Sequence, residues 1–157
     1  MSTHFHYFCA MKDNEQIIES NTLGFHLDRA FTSMVGELNK MLYKFGLPIN
    51  HSHFVILQIL DQYNGISQND IARLLGKDSA AISRSLKYLE TNGFVTRKAI
   101  SGCKNGVYIT EKTIGLRPTI EKVISMVTTT ARGRMSEQEY QAGINFLTRI
   151  YKSINKQ

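Results

Sequence analysis

The stretch DSAAISRSLKYLETNGFVTR, residues 78–97, gives one helix two unlike faces. Asp78 is a side-chain N-cap and Gly93 a helix stop, so a helix is predicted up to about Asn92. At ~100° per residue, Ile82, Leu86 and Leu89 fall together on one side. Ala80, Arg84, Lys87 and Thr91 lie opposite, and Ser83 flanks them. A helix that only packs and stays soluble carries longer side chains of both signs on its outer face. This one starts small and turns basic, which suits entry into a narrow, anionic partner.

Working backward, Ser67 caps a shorter helix with Asp70 at the capping-box position, and Ile71, Ala72, Leu74 and Leu75 give it an apolar side. Gly76 ends it. The turn LLGKD (74–78) is short and contains glycine, as two helices set at a steep angle require. Working forward, FVTRKAI (94–100) and VYIT (107–110) are β-prone and separated by SGCKNG, which predicts a hairpin. Helix, tight turn, helix and hairpin make a winged helix-turn-helix.

Long helices flank this unit. Leu23, Leu27, Phe31, Met34, Leu38, Met41 and Phe45 recur every three or four residues, predicting a helix from Ile17 to Phe45 that ends at GLP (46–48). Asn50 caps the next helix, which holds His51 and His53 in its first turn and stops at YNG (63–65). One helix is expected from Thr110 or Glu111 through Leu116, Ile120, Val123 and Val127. A last one starts at the capping box SEQE (136–139) and carries Tyr140, Ile144, Leu147, Tyr151 and Ile154 near heptad spacing. The fold class is therefore mainly α with a small β-hairpin.

At 157 residues, 42% hydrophobic and 20% charged, the composition is that of a globular domain able to bury a core. The longest dense apolar run, FVILQIL (54–60), is too short for a bilayer span of ~20 residues, and no membrane partner is expected. The N-terminal residues lack the pattern of a signal peptide. Cys9 and Cys103 make no disulfide framework, so a cytoplasmic, reduced protein is expected. Net charge is +6, and the segment from Arg73 to Lys104 holds seven basic residues against Asp78 and Glu90. Concentrated in this way, the excess is the electrostatic footprint of a polyanion binder.

Duplex DNA is the polyanion that this helix suits. A major groove about 12 Å wide demands small leading residues, which Ser79, Ala80 and Ala81 supply. Arg84 can take guanine O6 and N7 or clamp a phosphate, Ser83 can bond either, and Lys87 reads or clamps the groove beside them. Lys77, Ser79, Arg97, Lys98 and Lys104 are expected mainly on phosphates. Sequence-specific RNA modules stack bases on exposed aromatics, and Tyr88 is the only aromatic on this helix.

With those residues in place, the chain resembles the MarR family of bacterial transcription regulators. ISQNDIARLLGKDSAAISRSLKYLETNGFVTR (66–97) is similar to the family's helix-turn-helix, and YITEKTIG (108–115) to its strand-to-helix junction after the wing. The order of flanking helices extends the likeness from about Glu19 to the C-terminus. The resemblance implies a homodimer held by residues 17–45 and 111–157, a DNA-binding winged helix-turn-helix at 46–110, and an N-terminal extension at 1–16. It also implies a pseudo-palindromic operator and repression relieved by a small aromatic or phenolic effector. The wing departs from the family pattern: AISGCKNGVY (99–108) is about two residues short and lacks the Asp-Arg pair of family wing tips, leaving Lys104 as the cation there. That departure supports an alternative, a winged-helix protein-interaction module that no longer binds DNA specifically.

Other candidate sites are weaker. His4, His6 and Cys9 could hold zinc, but no downstream pair completes a familiar spacing, and no metal is expected. Cys9 and Cys103 are candidate oxidant sensors, each outweighed by the plain reading of an ordinary thiol. No Walker loop, HExxH or nucleophile elbow occurs, so neither catalysis nor a cofactor is expected.

Overall fold

A computed structural model describes residues 22–101 and 104–155, with only the backbone described at 100, 101 and 104. The described residues divide into two compact units, with the boundary between Met34 and Val35. Helix α1 (Leu23–Lys44) begins in the first, where the Arg29 guanidinium lies 5.6 Å over the Phe25 ring. Residues 1–21, and with them His4, His6, Cys9 and the predicted helix start at Ile17, lie outside the described residues.

The second unit holds the predicted winged helix. It contains α2 (His51–Gln62), α3 (Gln68–Leu75) and α4 (Ser79–Thr91), followed by the antiparallel strands β1 (Val95–Ser101) and β2 (Lys104–Ile109). Leu42, Ile56, Leu60, Ile71, Ile82, Leu86, Leu89, Phe94, Val107 and Val123 are fully buried and form one core. The apolar side predicted for α4 is therefore its buried side. Leu74 departs from expectation: it lies at the margin of the stripe formed by Ile71, Ala72 and Leu75, and is 55% exposed.

Local chemistry explains where these helices start and stop. Ser67 Oγ accepts from the Asp70 N–H at 3.2 Å and donates to the Asp70 carboxylate at 2.6 Å. At the other end Gly76 is left-handed (φ 57°), and its N–H reaches the Arg73 carbonyl while the Lys77 N–H reaches that of Ala72. These crossed bonds close a Schellman turn. Two residues later Asp78 accepts from the Ala81 N–H at 3.1 Å and starts α4. The Asn50 cap of α2 has an unexpected partner, because His53 Nδ1 accepts the Asn50 N–H in return.

Two elements differ from the sequence-based expectation. The hairpin strand β2 starts at Lys104 rather than Val107, and Gly65–Ser67 forms a third short strand edge on it. The Gly65 N–H bonds Val107 O, the Val107 N–H bonds Ile66 O, and Ser67 bridges Gly106. The helix predicted from Thr110 or Glu111 onward is instead two, α5 (Glu111–Gly115) and α6 (Arg117–Arg132), separated at Leu116. Pro118 is the physical reason: it has no N–H to give the Ile114 carbonyl, but is well placed in the first turn of a new helix. The final helix α7 (Glu137–Ile154) begins at the predicted box, Ser136 and Glu139 bonding reciprocally, and buries no residue. Among the described residues no helix is long and apolar enough to cross a membrane.

Candidate nucleic-acid interface

The outward face of α4 is open. Ser79, Ala80, Arg84 and Lys87 are exposed and Ser83 is half-buried. Arg84 and Lys87 make no hydrogen bond or ion pair among the described residues, so their donors face solvent. The Asp78 side chain takes the Ala81 N–H. The N–H groups of Ser79 and Ala80 ahead of it are orphan donors of the kind a phosphate oxygen satisfies. Lys77, in the turn just before, is exposed.

α4 is held from behind and near its C-terminal end. Ile82, Leu86 and Leu89 anchor it to the core. Near its C-terminus the Tyr88 hydroxyl donates to Pro48 O, and its ring stacks parallel on His53 with centroids 4.4 Å apart. The α2 N-terminus is tied to α1 by a 2.7 Å bond from the His51 N–H to Asn39 Oδ1. Burial holds both histidines below the ordinary range, and the Lys77 charge adds to the effect on His51.

The chain leaving α4 is clamped by the segment that follows the wing. Thr110 Oγ1 donates to Gly93 O at 2.7 Å, Thr113 Oγ1 to Phe94 O at 2.5 Å, and Lys112 Nζ to Asn92 O at 2.8 Å. Lys112 also sits 4.6 Å over the Phe94 ring. A cation on the last carbonyls of a helix is favoured by the helix dipole. The YITEKTIG segment thus locks the base of the wing to the end of α4.

On the wing, successive side chains alternate in direction. Lys98 is exposed, its ammonium 5.5 Å over the Tyr108 ring. Arg97 turns the other way: its side chain is 30% exposed, with Nε 3.2 Å from Glu90 Oε2 and Nη1 3.4 Å from Gln68 Oε1. The predicted site residues Lys77, Ser79, Ala80, Ser83, Arg84, Lys87 and Lys98 are therefore accessible, whereas Arg97 is engaged within the protein. The Lys104 side chain and Cys103 at the wing tip lie outside the described residues. Sequence reasoning missed Asn64, whose Oδ1 accepts the Ile109 N–H at 2.9 Å, and Gly65 (φ 94°), where a Cβ would stand 2.7 Å from the Tyr108 ring. The one local signal for these was the Asn-Gly pair in YNG.

A cleft of about 150 Å³ lies between α2 and α6. Phe54, Leu57, Ile109, Ile120 and Ile124 line it, and Arg117, paired with Asp61, stands at it. Among the described residues no group of three His, Cys, Asp or Glu side chains is placed to hold a metal.

Residues 49–102 match the family model of the MarR family. No curated protein matches the chain. Among solved structures, a MarR transcriptional regulator from Methanosarcina mazei Go1 is 20% identical with a TM-score of 0.77, over 91% of this chain and 96% of that one. A putative MarR family transcriptional regulator from Listeria monocytogenes, solved with a 26mer DNA, is 21% identical with a TM-score of 0.74, over 85% and 89%. MepR from S. aureus, solved as a DNA complex, is 22% identical with a TM-score of 0.74, over 85% and 98%. The family-model match covers the winged-helix segment, and over 91% of its length the chain shares the fold of a solved MarR transcriptional regulator.

Proposed function

We propose that this protein is a homodimeric, sequence-specific DNA-binding transcription regulator, a cytoplasmic repressor released from a pseudo-palindromic operator by a small-molecule effector. The observation that carries the reading is the α4 face: small at its start, basic beyond, unpaired, and anchored on its other side by a rigid core. Arg84, Ser83, Ala80 and Lys87 would enter the major groove, and Lys77, Ser79, Lys98 and Lys104 would meet phosphates. Self-association is supported by α7, where Ile144, Leu147, Tyr151 and Ile154 are all exposed at heptad spacing on a helix that buries nothing of its own. The cleft between α2 and α6 supports an effector role, since an apolar space of about 150 Å³ accepts one benzene-sized ring. Arg117 there already pairs with Asp61, so a phenolic or carboxylate oxygen would have to take its remaining donors.

Selection from a random duplex pool, followed by titration at two salt concentrations, tests the proposal. A two-fold-symmetric site should be enriched, with affinity that falls steeply as salt rises. Weak, sequence-blind binding would instead favour the protein-interaction module, which the short wing supports.

A further inference from the structure

We propose that Arg97 and Glu90 form a positioning pair that sets the angle of α4 against the wing, and that Arg97 governs DNA sequence selectivity from inside the head rather than from a phosphate. The inference rests on the DNA-binding reading above and departs from the sequence-based expectation that Arg97 touches the DNA backbone.

The guanidinium sits where three elements meet. Arg97 is the third residue of β1, Gln68 the first of α3, and Glu90 the last but one of α4. Its Nε is shut off from solvent and lies within ion-pair distance of the Glu90 carboxylate at 3.2 Å, off the line that a hydrogen bond needs. Its Nη1 reaches Gln68 Oε1 at 3.4 Å. A planar fork can span two partners in this way, whereas an ammonium is a single point. Opposite Arg97 in the hairpin is Val107, which is buried and hydrogen-bonds to the Gly65–Ile66 edge ahead of α3. The pair therefore links α4 to the same strand pair that grips the start of α3. Glu90 is also an acidic residue in the most basic part of the chain, beside a polyanion's seat, where charge alone would disfavour it.

That sign makes the test sharp. Binding to the selected operator duplex and to a random duplex is measured across a salt series for Glu90→Gln, Arg97→Gln, Arg97→Lys and the double variant Glu90→Gln/Arg97→Gln. Each single glutamine variant should lower operator affinity by roughly tenfold, with an unchanged salt slope and little effect on random duplex, and the double should lose no more than either single. Arg97→Lys keeps the charge and should not restore selectivity. The proposal is overturned if Arg97→Gln weakens both duplexes alike and lowers the salt slope by about one, or if Glu90→Gln binds the operator as well as or better than the parent.

Should a single variant fail to fold, the exchanged pair Glu90→Arg/Arg97→Glu keeps net charge constant. It must then fold and prefer the operator duplex over the random duplex, as the parent does, and failure to do either would overturn the proposal. If the parent protein selects no DNA site, the DNA-binding reading has failed, and the pair is judged without DNA. Glu90→Gln should then shift the amide resonances of Gln68 and of β1 as well as those of α4, and shifts confined to α4 would refute the bridge.

Discussion

Arg84 and Lys98 are both exposed cations, yet under the proposed DNA-binding function their removal should have different consequences. Arg84 projects from the middle of α4 with no partner of its own, so its planar donors are available to a base edge. Arg84→Ala should cost about 1–3 kcal/mol on the operator and relax selectivity at one base position, as measured by titrating single-base operator variants. Lys98 stands on the wing with its ammonium over Tyr108, off the recognition helix. Lys98→Ala should weaken operator and random duplex alike and lower the salt slope by about one. If the two substitutions behave identically, the division between reading and clamping is wrong. The accessibility of Arg84 was legible from helical periodicity, because Ile82, Leu86 and Leu89 leave it no choice of face. The inward turn of Arg97 was not, because strand alternation says which residues oppose each other without saying which partners wait on either side.

Between elements, stability depends on contacts across long stretches of chain. Gly65 has φ 94° and faces the Tyr108 ring, so a methyl group there meets both backbone strain and aromatic carbon at 2.7 Å. Gly65→Ala should destabilise the protein by about 1–3 kcal/mol, read as a lower midpoint in chemical denaturation, and should loosen the wing first. Acid should act on the N-terminus of α2. Burial lowers the pKa of His51 and His53 in the folded state, so the unfolded chain binds their protons more readily. Their contribution is then complete above the ordinary histidine value of 6.5 and falls as pH drops below it. Protonation of His53 would also remove the Nδ1 acceptor of the Asn50 N–H. A denaturation series from pH 7.5 to about pH 5 should show falling stability, with a shallower slope in His53→Gln; an equal slope would exclude His53 as the titrating group. The caps at Ser67, Asp78 and Ser136 and the stop at Gly76 were readable in sequence because each is settled within four residues. The strand edge at Gly65–Ser67 was not, since its partner lies about forty residues away. The break at Leu116 was signalled by Pro118, but the apolar spacing across it continues without a fault and hides the interruption.

At the scale of the molecule, α7 is the element least explained by a single chain. It has a complete capping box and an apolar stripe, but Leu147 is 46% exposed and Tyr151 68%. An isolated helix of 18 residues gains little from propensity alone, and in proteins an apolar face supplies the missing stability by being covered. Leu23, Phe31 and Met34 of α1 are exposed as well, so both flanking helices offer apolar surface outside the core that the winged helix shares with Leu42 and Val123. Covering by a second copy predicts that Leu147→Glu breaks self-association without unfolding the head, because Leu147 is no part of the buried core. Sedimentation of Leu147→Glu should give a monomer whose circular dichroism retains the winged helix. Operator affinity should drop by about a hundredfold or more, since two linked half-site contacts become one, while affinity for a single half-site stays near that of the parent. Three other results can occur, and each has its own meaning. A dimer that persists would place the interface elsewhere. Global unfolding would show that the α7 face packs on its own chain. Loss of association with operator affinity intact would mean that each chain reads DNA alone, leaving the two-fold operator without a cause.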